Sequence, residues 1–209
     1  INDEYYKKIF NKENIVISKI GDANLITEND FLERVCNSIG KGKIIGWIYG
    51  QMEWGPRALG HRSILGDPRR SDMKDLLNLK IKRRESFRPF APSILEEYVK
   101  EWFEISSEFD KSVPYMMKVY KFKPDKQHLV PAVCHVDGSG RLQSVTNERN
   151  GRYYRLIKKF YEYSKVPMLL NTSFNENEPI VRTIEESLDC FLRTEMDLLV
   201  IEDFIIERK

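Results

Sequence analysis

Long apolar runs are missing from this sequence, and no basic stretch followed by an apolar one opens it. Nothing in it therefore predicts a membrane span or a secretion leader. Cysteine is scarce: Cys36, Cys134 and Cys190 are far apart and odd in number, and no C-x-x-C occurs. That excludes a disulfide framework and predicts free thiols in a reducing cytoplasm. The three histidines, His61, His128 and His135, lack ligand spacing such as H-x-x-x-H, so no metal site is expected from this chain alone. G-x-x-x-x-G-K-[ST] is absent, and so is a complete G-x-G-x-x-G. A nucleotide held here would be held by scattered arginines and a lysine, not by a phosphate loop on a helix. Internal repeats and low-complexity linkers are also missing. The chain begins with Ile1 and a polar, helix-like stretch, which predicts a piece of a longer protein.

What is present is a chain of 209 residues, enough for one sizeable core. With 41% hydrophobic and 32% charged residues it reads as an ordinary globular domain. A net charge of only +2 argues against a general polyanion binder. The distribution is uneven, however. Residues 57–88 hold ten Lys/Arg against four Asp/Glu, a local +6 that leaves −4 for the remainder. Localised positive charge in a nearly neutral protein points to a bound anion of limited size.

Periodicity predicts strands over 14–20, 43–50, 91–95, 115–122, 131–136, 141–146 and 166–174, with a closing strand, turn and strand over 197–208. It predicts a helix over 27–40, capped by Thr27 or Asn29 and ended by Gly40. Further helices are expected over 71–84 (capped by Ser71, with Leu76, Leu77 and Leu79 on its apolar side), 96–104, 151–165 (Tyr154, Ile157, Phe160 and Tyr161 on one side) and 183–195, opened by a Thr183–Glu186 capping box. Residues 53–70 are too basic and too broken by Gly and Pro for helix or strand. The expected class is α/β or α+β with a mixed, twisted sheet.

Four segments carry chemistry. In "EWGPRALGHR", Gly55 and Gly60 let backbone N–H groups approach a ligand, and Arg57 sits between them at a strand end. A guanidinium held there suits a phosphate or carboxylate. Arg69 and Arg70 read instead as partners of Asp67, Asp72 or Glu53. In "KIKRRESFRPF", Lys82 and Arg88 flank a helix end, and the surrounding Phe87, Phe90 and prolines predict a rigid, partly buried neighbourhood for Arg88. "HVDGSGRLQSV" supplies Arg141 after a glycine turn, with His135 as a strand histidine or a packing residue. "LLNTSFNENEP" places Asn171, Ser173 and Asn175 at the end of a buried strand, where ligands of open α/β sheets gather.

Taken in order, "GWIYGQMEWGPRALGHRSILGDPR", "KRRESFRPFAPSIL", "HVDGSGRLQSV" and "LLNTSFNENEPIV" resemble the C-terminal domain of the O-carbamoyltransferases of antibiotic and nodulation-factor biosynthesis. The resemblance runs from about residue 28 to the end. It implies 28–209 as the domain and 1–27 as an extension from an upstream domain plus the first strand. It implies a YrdC-like fold, a twisted sheet with a positively charged concave face. It implies ATP and carbamoyl phosphate as ligands, Mg²⁺ with the nucleotide, and carbamoyl-adenylate and pyrophosphate as products. A separate actin/hsp70-like N-terminal domain, holding the family's metal, would pass the carbamoyl group to a substrate hydroxyl. By motif, Arg57, Lys82 and Arg88 take the catalytic positions, and Arg141, Asn171, Ser173, Asn175 and His135 the substrate and nucleotide positions. His61 replaces the family's Asn, Gly66 its Ala, and "NENEP" its N-x-x-G-E-P beside Asn175. Two rivals stand beside this reading. One is an RNA- or tRNA-binding module of the same fold. The other is a docking domain using Trp47, Trp54 or Trp102.

Overall fold

The computed structural model describes residues 5, 8–10, 15–23, 27–85, 87–106 and 112–209. Eight strands form one mixed sheet in the order β1 (Ile15–Lys19), β10 (Phe204–Arg208), β9 (Leu198–Ile201), β2 (Ile45–Ile48), β3 (Arg62–Gly66), β8 (Met168–Ser173), β4 (Ala91–Leu95) and β7 (Gln143–Val145). The β2–β9 and β4–β7 pairs are parallel, and the other neighbours are antiparallel. A separate ribbon pairs β5 (Tyr120–Lys121) with β6 (Ser139–Gly140). The helices described are α1 (Glu28–Gly40), α2 (Met73–Leu77), the single turns α3 (Val99–Trp102), α4 (Pro124–Gln127) and α5 (Asn147–Asn150), then α6 (Arg152–Ser164) and α7 (Ile184–Arg193). The expected 1–27 extension lies partly outside the described residues. Its strand β1 pairs with β10, so that strand belongs to the main sheet.

The caps explain where the long helices begin. The Thr27 hydroxyl accepts from the Asp30 N–H at 3.2 Å, and the Asp30 carboxylate accepts from the Thr27 N–H at 2.9 Å. At α7, the Thr183 hydroxyl accepts from the Glu186 N–H at 3.2 Å. Helix α1 buries Phe31, Leu32, Val35 and Ile39 and lies against α6. There the Cys36 thiol donates to the Leu156 carbonyl. Helix α6 buries Tyr153, Leu156, Ile157 and Phe160, a stripe turned by one residue from the expected one. Tyr154 and Tyr161 lie half-buried on the flank, where Tyr154 bonds Glu97 and Tyr161 packs on Tyr98. Helix α7 packs on β2 and β9.

Both faces of the central strands are covered. Trp47 meets Tyr153 of α6 at 6.3 Å between ring centroids. Neighbouring Gly46 points the other way, where a Cβ would lie 2.8 Å from the Phe174 ring. Strands β2, β3 and β9 are buried throughout, which accounts for one correction to the sequence reading. Residues 53–70 do contain a strand, β3. Burial on both faces removes the alternation that marks a half-exposed strand. Its first residue, Arg62, turns its guanidinium back onto the Gly50 and His61 carbonyls.

Three more expectations are corrected. The 71–84 helix has no Ser71 cap; α2 is short and passes into a π-helical turn, Asn78–Lys82. The wider turn shifts the buried side to Ile81 and Lys82 and leaves Leu79 77% exposed. Of 115–122, only Tyr120–Lys121 is strand. Residues 131–136 form turns, because the N–H groups of Val133 and Cys134 close back on the Val130 carbonyl after Pro131. The three cysteines are free. Among the described residues, no helix is long and apolar enough to cross a membrane.

Candidate anion site

The loop between β2 and β3 is held from both sides. On one side, Glu53 Oε1 accepts from the N–H groups of Leu59 (2.6 Å), His61 (3.1 Å) and Arg62 (3.3 Å). On the other, three successive carbonyls are caught by side chains of the sheet. Asn171 of β8 donates to Ala58 O at 3.1 Å, Gln143 of β7 to Leu59 O at 2.8 Å, and Trp47 of β2 to Gly60 O at 2.9 Å. Gln143 and Asn171 are themselves tied through Ser93 of β4. Five strands thus converge on one short loop, and Arg57 is the cation it presents.

Arg57 and Arg141 are brought together. Arg141 lies between β6 and β7, and burial followed by the nearby Arg57 charge pulls its pKa below the ordinary arginine value. The Nε of each guanidinium is buried and has no hydrogen-bond acceptor within the fold. Two neighbouring cations with buried, unpartnered Nε atoms, and with no ion pair to a carboxylate among the described residues, form a place for an anion. His135 completes this edge. It bonds Ser139 through Nδ1 at 3.2 Å. Burial first, then the Arg141 and Lys74 charges, hold its imidazole below the usual range, against the opposing pull of Asp137.

Lys82, Ser173 and Asn175 form a second cluster. The Lys82 ammonium is 3% exposed and donates to Ser173 O (2.6 Å), Asn175 O (2.7 Å) and Asn175 Oδ1 (2.8 Å), with Ser173 Oγ at 3.4 Å. Three close oxygens match its three protons. Asn171 and Ser173 are two residues apart on β8, so they share a face about 6.7 Å apart. The end of β8 therefore joins the lysine cluster to the arginine loop. Burial, reinforced by the Arg84 charge, lowers the Lys82 pKa to about 7. An ammonium depressed below its unfolded value near 10.4 destabilises the native state at low pH, and the penalty fades as pH rises through the window between the two values. Wild type is therefore expected to gain stability over Lys82→Met between pH 7 and pH 10, measured as paired urea unfolding curves.

Arg88 stands apart. Its side chain is 54% exposed and pairs with Glu85 at 3.1 Å, and Phe87 is exposed. The buried neighbourhood expected around Arg88 is confined to Phe90, because the two phenylalanines point in different directions. Four other cations of 57–88 are matched inside the fold: Arg69 with Asp67, Arg70 with Asp72, Lys80 with Glu195, Arg83 with Glu176. Only Glu176 and Glu195 come from outside the segment, so most of its local positive excess remains, and Arg57 contributes to it beside Arg141. Glu53, Ser93 and Gln143 are the residues that sequence reasoning passed over. The signal for Gln143 was a polar side chain inside an apolar strand. A surface cavity of about 760 Å³ near Lys43, Lys80 and Arg208 includes none of the eight expected site residues.

Residues 36–208 match the family model described as Carbamoyltransferase C-terminus. The chain belongs to that family. This carbamoyltransferase C-terminal domain is 40% identical over 190 residues to nodulation protein NolO of Bradyrhizobium diazoefficiens, covering 90% of the chain and 34% of NolO. It is 44% identical over 182 residues to NolNO of Sinorhizobium fredii, covering 87% of the chain and 27% of that protein. The chain spans about a third of the length of such relatives. The fold is shared with full-length HypF in its phosphate- and nucleotide-bound form (TM-score 0.58, 18% identity, 93% of this chain and 22% of HypF). It is shared too with Pyrococcus abyssi Sua5 complexed with L-threonine (TM-score 0.60, 12% identity, 85% and 48%). The YrdC-like mixed sheet expected from the motifs is the one observed.

Proposed function

We propose that this domain binds ATP and carbamoyl phosphate and makes carbamoyl-adenylate, which an actin/hsp70-like domain of the full-length protein transfers to a hydroxyl of a small-molecule acceptor. The observation that carries this reading is the neighbouring pair Arg57 and Arg141, each with a buried Nε that has no acceptor.

The chemistry asks for what these residues offer. Water hydrolyses the acyl phosphate bond of carbamoyl phosphate, giving carbamate and inorganic phosphate. A carbamate oxygen then attacks the α-phosphorus of ATP, the α–β anhydride bond breaks, and pyrophosphate leaves. Both reactants are anionic, and fixed guanidinium groups offset their repulsion while aligning them. Arg57 and Arg141 suit the phosphates. Lys82, buried among oxygens and with no carboxylate on its ammonium, adds positive charge at the β8 end. Asn171 Oδ1 is buried without a donor and suits the carbamoyl N–H. Ser173 and Asn175 hold Lys82 and border the same strand end. His135 lines the Arg141 edge, and Arg88, exposed and paired with Glu85, lies apart from that pair. Among the described residues no three His, Cys, Asp or Glu side chains form a metal cluster, so Mg²⁺ fits as a companion of the nucleotide's own phosphates.

Titration calorimetry of the chain with a non-hydrolysable ATP analogue, with and without carbamoyl phosphate, tests the reading. One nucleotide per chain, and pyrophosphate release when ATP and carbamoyl phosphate are both supplied, are expected. Tight, steeply salt-dependent RNA binding with no nucleotide site would replace it with the RNA-binding module.

A further inference from the structure

Of the three tryptophans, Trp47 and Trp102 are buried, and Trp54 is 99% exposed. An indole held wholly in water is far from tryptophan's ordinary setting. Its position is specific. The Glu53–Leu59 hydrogen bond closes residues 53–59 into a small loop, and its C-terminal foot is fastened to the sheet through the Ala58 and Gly60 carbonyls. Trp54, Gly55, Pro56 and Arg57 form its tip. Gly55 adopts φ +119° with nothing within 4 Å of a Cβ placed there, so the tip is open on that side.

The tip therefore displays an aromatic face and a guanidinium three residues apart, at most about 10 Å along the chain and less around a turn. A nucleotide presents the complementary pair on the same scale, a flat base and a phosphate joined by a ribose. We infer that Trp54 is the stacking platform for the base of a nucleotide whose phosphates reach Arg57 and Arg141. This rests on the nucleotide site proposed above and adds the means by which the base is held. Stacking is available to any base, so Trp54 supplies affinity for the base and leaves the choice among bases to other groups.

The test uses wild type, Trp54→Ala and Trp54→Phe, with ATP and inorganic tripolyphosphate as probes. Binding is read by calorimetry, and indole exposure by acrylamide quenching of tryptophan fluorescence. With Trp47 and Trp102 buried, the quenchable emission belongs mainly to Trp54. ATP is expected to shield it, and tripolyphosphate is not. Trp54→Ala is expected to bind ATP roughly tenfold more weakly and tripolyphosphate unchanged, with Phe restoring most of the loss. Equal weakening of both probes would reduce Trp54 to a shaper of the loop and overturn the inference. Unchanged ATP affinity in Trp54→Ala, with an effect only on self-association, would overturn it as well. Wild type that binds ATP with Trp54 still quenchable sinks this inference alone, whereas wild type that binds neither probe removes the nucleotide site and the inference with it.

Discussion

Replacing Arg57 with methionine is expected to lower pyrophosphate release by about 10²- to 10³-fold, in line with the loss of one preorganised electrostatic group, while the melting temperature stays level or rises. The two halves of this result have one cause. Arg57 and Arg141 place positive charge against positive charge, and neither buried Nε has an acceptor. Such an arrangement is unfavourable until an anion arrives. Methionine keeps much of the bulk and removes the repulsion. Arg57→Lys is not expected to rescue activity, because a point charge does not reproduce the planar fork. Arg141→Met should behave in the same way. Pyrophosphate assays paired with thermal unfolding decide the matter. A variant that loses stability and activity together would assign Arg57 a structural role, and one that keeps full activity would remove it from the site.

The second large effect concerns Gly60. A Cβ there would lie 2.2 Å from Cδ1 of Tyr153, and the backbone sits at φ +102°. The ring cannot retreat easily, since Tyr153 is fully buried and packed against Trp47. A left-handed conformation costs an L-residue about 1–2 kcal/mol, and overpacking adds about 1–3 kcal/mol. Gly60→Ala is therefore expected to lose about 2–5 kcal/mol, near 10 °C in melting temperature for a chain of this size, and to weaken anion binding because the Arg57 loop is lifted from its seat. Gly55→Ala is the control. It shares the positive φ but meets no atoms, so only the smaller backbone penalty of about 1–2 kcal/mol applies. Calorimetric unfolding of both variants, each with a nucleotide titration, tests the difference. Equal melting temperatures would mean that the loop does not rest on Tyr153.

The glycine requirement also shows why the candidate site was partly legible. Gly55, Gly60, Arg57 and Arg141 stood out as residue types suited to close approach and anion binding, and their motifs carried the family. What was not legible was their support. Glu53 read as one more acid near several arginines. It is a backbone clamp, because a carboxylate oxygen accepts from three N–H groups of a folded-back loop that exists only once β2 and β3 pair. Arg88 read as buried from its prolines and phenylalanines, yet composition does not say which way a side chain points, and it pairs with Glu85 in solvent.

By itself the sequence determined the features that act within one turn or one strand. The caps at Thr27 and Thr183, the extent of α1, and the buried runs of β2 and β8 all follow from neighbours a few residues away. Tertiary structure decided the rest. Strand β3 acquired its identity from partners on both sides, and the π-helical turn exchanged Leu79 for Lys82 as the inward residue. Asn171 reached Ala58 across a sequence separation of 113 positions. Two guanidiniums came within reach of each other's charge because loops distant in sequence met at the strand ends. Local propensity carries no information about contacts of that range. They are chosen by burial of the whole core, and the anion site is a consequence of that choice.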